Sequence, residues 1–330
     1  MRLVRAKQLG VATLVVCLAL TGCQLPASQQ SRTPAAAQEP SASISASVST
    51  PPTTAPSATA SPDGSRAATP SAQSSLTPSA TASGSIAPLL PPIAQLPAPK
   101  PARTITGPRT LGVPVLMYHE IGVAPAGASN PDLYVTPNEF ASHMRYLSTH
   151  GYHAVTLKQV YDFWHGAGTL PSKPVVISFD DGDTNQFTIA APLLNELHWP
   201  GVLNLVVGKK RLRLKPKIIR ALIAAGWEID SHTMSHMDVP GLSAAQLAYQ
   251  IGDSRTRLQK LYGVPVDFFC YPSGRFDDNA VAAVKAAGYL GATTTRGGLA
   301  RPGDPYLMRR VRVSGGRSAA SFGELLSAAR

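Results

Sequence analysis

The chain has 330 residues, only three cysteines and a formal net charge of +11. Cys17 and Cys23 fall in a leader-like start, so Cys270 alone remains for the folded part, which excludes an internal disulfide there and leaves the fold dependent on its core. The positive surplus favours anionic surroundings such as phospholipid headgroups or acidic wall polymers, and a nucleic-acid partner is not expected.

Residues 1–22 read as an export signal. Arg2, Arg5 and Lys7 precede "LGVATLVVCLALTG", an apolar stretch too short to span a membrane comfortably. It ends in "LTGC", which resembles the lipobox of bacterial lipoproteins and makes Cys23 the expected lipidated first residue. The alternative is an ordinary signal peptide with a chance cysteine. Removing the three cations Arg2, Arg5 and Lys7 takes the net charge from +11 to +8. Residues 23–110 are rich in Ala, Ser, Thr and Pro, and between 24 and 100 their only charges are Arg32, Glu39, Asp63, Arg66 and Lys100. Such a composition buries too little surface to offset ordering entropy, so it predicts a disordered tether, able to reach on the order of 200 Å when extended.

From residue 111 the pattern turns to alternating strands and helices, and 111–330 has the length of one domain. "VPVLMY" (113–118) is a strand. Thr136, Pro137 and Glu139 are an N-cap, N1 and N3 signature opening a helix with Phe140, Met144 and Leu147 on one face and Gly151 at its close. "YHAV" (152–155) is a strand, and Thr156 caps a helix through Trp164. "PVVISF" (174–179) is the next strand, followed by a helix near 186–198 and the strand "VLNLVV" (202–207). The basic run "KKRLRLKP" (209–216) reads as a solvated face or loop. A helix near 216–225 stops at Gly226 before the strand "WEID" (227–230). A long helix runs from after Ser243 to before Gly263. "VDFFC" (266–270), a helix near 278–287 ended by Gly288, "YLGATT" (289–294), "MRRVRV" (308–313) and a helix near 319–329 complete the chain.

Strand–helix repeats with apolar strands imply a parallel sheet covered by helices, and seven or eight such units can close into a barrel whose chemistry collects at the carboxyl ends of the strands. The unusual polar residues obey that rule. His119 follows "VPVLMY"; Asp180, Asp181 and Asp183 follow "PVVISF"; His232 and His236 follow "WEID" in "SHTMSH"; "YPSG" follows "VDFFC". An isolated ionised carboxylate is expensive to bury, so a run of acids ending an apolar strand points to a metal ion. Asp181, His232 and His236 supply one oxygen and two nitrogen ligands, the donor set of a catalytic zinc site with water in the fourth position; iron, cobalt and nickel fit it too. The two histidines meet at one point if the backbone turns helically between them. Asp183 and Asp230 are expected to be ordinary solvated carboxylates, with orientation of a ligand histidine as the alternative for Asp230. Cys270 is expected to be a small buried filler rather than a nucleophile.

"VVISFDDGD" (175–183) and "SHTMSH" (231–236) resemble the first and second motifs of the polysaccharide deacetylases, the NodB-homology group of carbohydrate esterases (family 4). With "GVPVLMYHEI", "YHAVTLKQV", "VDFFCYPSGRFD" and "AAGYLGATTT" the resemblance spans 111–330 and is to the branch that deacetylates poly-β-1,6-N-acetylglucosamine. It implies a distorted (β/α)7 barrel. It makes Asp180 the general base, assigns Asp181, His232 and His236 to a divalent metal (Zn2+ by preference, with Co2+, Ni2+ or Fe2+ as alternatives), and puts the backbone N–H of Ser273 at the oxyanion. Tyr271, Pro272 and Arg310 are expected against substrate. The sequence departs from the family pattern twice. No histidine lies beyond His236, so the usual late Leu-x-x-His proton donor is missing and His119 is the substitute. Cys270 stands where the family has an arginine that orients the base, and Arg309 or Arg310 is expected to supply that charge.

The expected protein is a monomeric, exported, lipid-anchored and metal-dependent enzyme facing the periplasm or exterior. It would remove N-acetyl groups from poly-β-1,6-N-acetylglucosamine, with peptidoglycan or chitin oligomers next. The alternatives are a glycan-binding lipoprotein without turnover and an O-acetyl xylan esterase.

Overall fold

The computed structural model describes residues 96–208 and 214–330. The leader, Cys23, the linker to residue 95 and residues 209–213 of the basic run lie outside the described residues. Seven strands close into a barrel: β1 (Val115–Tyr118), β2 (Pro174–Phe179), β3 (Val202–Leu205), β4 (Glu228–Ser231), β5 (Phe268–Cys270), β6 (Gly291–Gly297) and β7 (Met308–Arg312). Each pairs in parallel with the next and β7 pairs with β1, so the circuit has seven members rather than eight. The helices are α1 (Pro137–Thr149), α2 (Leu157–Trp164), α3 (Ala191–Glu196), α4 (Pro216–Ala224), α5 (Ala244–Leu247), α6 (Ser254–Tyr262), α7 (Asp278–Ala286) and α8 (Ala319–Ala328).

Local signals set the helix limits. Thr136 with Glu139 and Thr156 with Gln159 form reciprocal capping boxes that start α1 and α2, each satisfying backbone donors otherwise left open. The long helix after Ser243 is α5 and α6 joined through a wider turn over 248–253, and Gly263 ends it in the left-handed region at φ +70°.

The period-2 alternation of strands sorts the core into two clusters. On β2, Val175, Ile177 and Phe179 face the helices, whereas Val176 joins Val115, Val202, Phe268 and Met308 in a separate cluster inside the barrel. Leu157, Val160, Phe163 and Trp164 of α2 pack on that inner cluster and close the amino-terminal end. Each such buried side chain contributes about 1.5–3 kcal/mol. Two residues further along the same strands the inward positions become polar: Ser178, Asn204, Cys270 and Arg310, all buried. An apolar floor thus lies beneath a polar upper half, and the site sits on that upper half.

Residues 96–110 share the composition of the linker but pack on the barrel. Ser148 Oγ donates to the Pro97 carbonyl at 2.8 Å, and Thr104–Ile105 pairs antiparallel with Leu170–Pro171. Arg109 lies over the Phe163 ring and donates to the carbonyls of Phe163 and Gly168 at 2.7 and 2.8 Å. Leu96 and Ile105 add apolar contacts to the two core clusters, but most of the anchoring runs through backbone and one arginine, which apolar periodicity does not report.

Candidate metal centre and active site

Asp180 leaves the carboxyl end of β2 at an inward position and is 2% exposed. The Arg310 guanidinium, 1% exposed on β7, forks onto it, Nη1 to Oδ1 at 2.8 Å and Nη2 to Oδ2 at 2.9 Å. Asn204 Nδ2 donates to Oδ1 at 2.7 Å, the Cys270 thiol stands 3.7 Å from Oδ2, and His119 Nε2 lies 3.7 Å from Oδ2. Burial alone would raise the Asp180 pKa, but the Arg310 charge outweighs it, with His119 assisting, and holds the carboxyl well below the usual range. Asp180 is therefore a fixed carboxylate. The His119 pKa is lowered as well, here by burial, against opposing pulls from Asp180 and Asp181. Gln186 fastens the tops of β1 and β2 together, its Nε2 donating to the carbonyls of His119 at 2.9 Å and Asp180 at 2.6 Å.

The next residue turns the chain toward the cleft. Asp181 has φ +75° and Gly182 φ +86°; a side chain at Gly182 would meet Leu205 Cδ2 at 2.7 Å, so only glycine fits the turn. Asp181 Oδ1 lies 3.2 Å from His236 Nε2 and 3.7 Å from His232 Nε2. His232 Nδ1 is 2.7 Å from the Cys270 carbonyl, which can only accept, so Nδ1 carries the hydrogen and the Nε2 lone pair faces Asp181. The donor chemistry fits a divalent cation: one carboxylate oxygen and two imidazole nitrogens on one point, with a carbonyl behind the buried ring fixing its tautomer. A second group, Asp180, His232 and Cys270, also has its ligand atoms within 4.8 Å of one another. It makes a poorer site, because Arg310 already neutralises Asp180 and burial pushes the Cys270 thiol up, away from the thiolate a metal needs.

His232 and His236 do not meet through a helical turn. Thr233 and His236 have φ +69° and +59°, and Thr233 Oγ1 accepts the His236 N–H at 2.8 Å. A tight non-helical loop brings the second ring back to the first, with centroids 4.8 Å apart. Ser273, at the top of β5, has φ +54°. Among the described residues only one further non-glycine residue, His198, has positive φ, so backbone strain gathers at this cleft, as it commonly does at functional sites.

Two adjoining cavities of about 250 and 290 Å³ share His119, Asn130, Leu133, Asp181 and His236. The second is also lined by Asp180, His232, Tyr271, Ser273 and Arg310; the first runs on along Glu120, Pro125 and Tyr134. Tyr271 is buried with no hydrogen-bond partner on its hydroxyl, and Pro272 is buried. Arg310, expected against substrate and as one of two candidates for the charge on the base, lines the second cavity and has both terminal nitrogens on Asp180; its neighbour Arg309 is exposed and donates to the Gly297 carbonyl at 2.8 Å. Strand parity separates the two, since Arg310 shares the inward face with Met308. Asp183 and Asp230, expected in solvent, are 3% and 0% exposed. Asp183 tucks in because its own N–H is held by Gln186 Oε1, and Asp230 because it occupies an inward strand position where Oδ1 accepts the Phe268 N–H. Asn204 and Gln186 were not singled out by sequence. The signal for Asn204 was a lone amide interrupting "VLNLVV" in register with the inward face.

The sequence profile described as "Polysaccharide deacetylase" matches residues 167–292. "Putative polysaccharide deacetylase YxkH" of Bacillus subtilis strain 168 is 30% identical over 215 residues, covering 64% of this chain and 75% of that protein. The poly-beta-1,6-N-acetyl-D-glucosamine N-deacetylase of Staphylococcus epidermidis is 28% identical over 197 residues, covering 54% of this chain and 68% of that one. Among solved structures, the Streptococcus pyogenes deacetylase PplD in complex with acetate superposes with a TM-score of 0.62 at 24% identity, over 66% of this chain and 99% of that chain. The "putative polysaccharide deacetylase BA0330" of Bacillus anthracis gives 0.59 at 29% identity, over 66% of this chain and 69% of that chain.

Proposed function

The chain belongs to the polysaccharide deacetylase family, hydrolases of amide bonds, and from that premise we propose that it removes N-acetyl groups from N-acetylglucosamine polymers with a divalent metal held by Asp181, His232 and His236. The observation that carries this reading is the meeting of those three donors beside a carboxylate, Asp180, kept ionised by Arg310. Zn2+ is our first choice of metal. A cation at this point would act as a Lewis acid, polarising the acetamide carbonyl and acidifying a water close to neutrality.

The chain's own groups do the rest. Asp180 accepts a proton as the water oxygen bonds to the carbonyl carbon. The backbone N–H of Ser273, on its strained turn above β5, donates to the oxygen that gains charge. His119 faces the same cleft and delivers a proton to the amine as the C–N bond breaks, releasing acetate and a free glucosamine unit. His119 is neutral at the outset because its pKa is lowered, and the proton it delivers is the one Asp180 took from the water, passed on from Oδ2, 3.7 Å from Nε2.

Poly-β-1,6-N-acetylglucosamine is the preferred substrate, on the strength of the S. epidermidis relative; peptidoglycan and chitin oligomers come next. We place the enzyme outside the cytoplasmic membrane, tethered through a lipid on Cys23. The test is acetate release by the wild-type chain and by Asp180→Asn, compared across poly-β-1,6-N-acetylglucosamine, chitin oligomers, peptidoglycan and acetylated xylan. Release from the first, abolished by the substitution, supports the reading. No release from any glycan would leave a glycan-binding protein in its place.

A further inference from the structure

We infer that Asn204 is a positioning residue for the proposed base: by filling Oδ1 of Asp180 it leaves Oδ2, the oxygen turned toward His119, as the atom that takes the proton. This rests on the reading of Asp180 as the base. A carboxylate offers two in-plane lone pairs on each oxygen. Oδ1 receives Arg310 Nη1 at 2.8 Å and Asn204 Nδ2 at 2.7 Å, so both of its lone pairs are occupied. Oδ2 receives Arg310 Nη2 at 2.9 Å and has only the Cys270 sulfur, a weak donor, at 3.7 Å besides. One lone pair of Oδ2 thus stays open to a proton, on the side where His119 Nε2 stands 3.7 Å away.

Arg310 cannot make this distinction by itself. Its fork grips both oxygens at nearly equal length and is symmetric about the carboxylate axis. Asn204 breaks that symmetry. Its orientation is set by chemistry, since an ionised carboxylate only accepts and the amide must present Nδ2 rather than its oxygen. The residue is 3% exposed on β3 at an inward position beside Asp230, where the strand would otherwise carry an apolar side chain such as the Val202 below it.

The experiment compares the full chain with Asn204→Leu and Asn204→Val, two apolar replacements without the donor, and with Asn204→Ser, which restores a shorter one. Acetate release gives kcat and KM, and elemental analysis gives bound metal. The expected result is a kcat lowered about ten- to a hundredfold in whichever apolar variant folds, as for a reacting group displaced by a fraction of an ångström. KM and metal content stay within about twofold, and part of kcat returns in Asn204→Ser. A kcat within about twofold of wild type in Asn204→Leu or Asn204→Val, while Asp180→Asn abolishes turnover, would overturn the inference and leave the base intact. Parallel loss of metal and kcat would also overturn it, in favour of a purely structural amide. Full turnover in Asp180→Asn would instead remove the base itself.

Discussion

Asp180 and Asp230 both point into the barrel, both are buried, and they differ in what faces them. Asp180 meets a guanidinium and an amide and stays ionised. Asp230, two strands further round, meets another acid. Glu228 precedes it on the same face of β4, and Oε1 of Glu228 and Oδ2 of Asp230 are both buried without a donor. Burial first, and Glu228 second, pushes Asp230 well above the usual carboxylate range; burial pushes Glu228 up to about 7, with Asp267 adding repulsion and the Lys158 N–H opposing. The pair therefore keeps a proton that Asp180 gives up. Partner identity, rather than depth, decides which buried acid is available as a base.

The sharpest way to break this contrast is to remove the cation. Arg310→Met leaves Asp180 buried and uncompensated, a change that costs about 3–5 kcal/mol of stability. It also allows Asp180 to protonate, so acetate release should fall about a hundredfold or more; denaturant unfolding and steady-state kinetics read the two effects. His119→Ala tests the other face of the same carboxylate. It should lower kcat about a hundredfold with metal content held, because proton delivery is lost while the ligands stay; unchanged turnover would take His119 out of the reaction.

Glu228→Gln probes the opposite member of the comparison. Its raised pKa means that the native state keeps a proton the unfolded chain releases near 4.5, so the Glu228 contribution to stability falls as pH rises from there to about 7 and then levels. The amide removes that dependence. The variant should match wild type near pH 5 and exceed it at pH 8 by up to about 3 kcal/mol, read from urea midpoints at the two pH values. A variant equally stable or weaker at pH 8 would show that the acid pair is not under this strain. The smallest effect is expected for Cys270→Ser. The thiol is a weak neighbour of Asp180 Oδ2, so turnover should change less than about threefold; a larger loss would make the sulfur a working part of the site.

The strands, the helix caps and the motif residues were legible in the sequence because each rests on local signals: period-2 apolar runs, Thr-x-x-Glu and Thr-x-x-Gln boxes, and acids or histidines placed directly after strands. The seven-strand closure confirms the barrel implied by those repeats. What escaped was decided by partners distant in sequence. Nothing local in "WEID" says that Asp230 turns toward the Phe268 N–H, 38 residues on. Nothing in "FDDGD" shows that Asp183 folds back on Gln186. Arg309 and Arg310 look alike as a pair, and only the inward register with Met308 assigns the second to Asp180. The segment 122–133 between the strand pair Glu120–Ile121 and Tyr134–Val135 forms one wall of the cleft through Pro125, Asn130 and Leu133, yet carries no periodicity that would mark it.

The proposed reaction depends on a single cation held by Asp181, His232 and His236. The direct measurement is acetate release by chelator-treated protein titrated with Zn2+, alongside elemental analysis of wild type and Asp181→Ala. Release should vanish on chelation and return in full near one equivalent, and Asp181→Ala should bind little metal. Undiminished release after complete removal of metal, or one tightly held equivalent in Asp181→Ala, would contradict it.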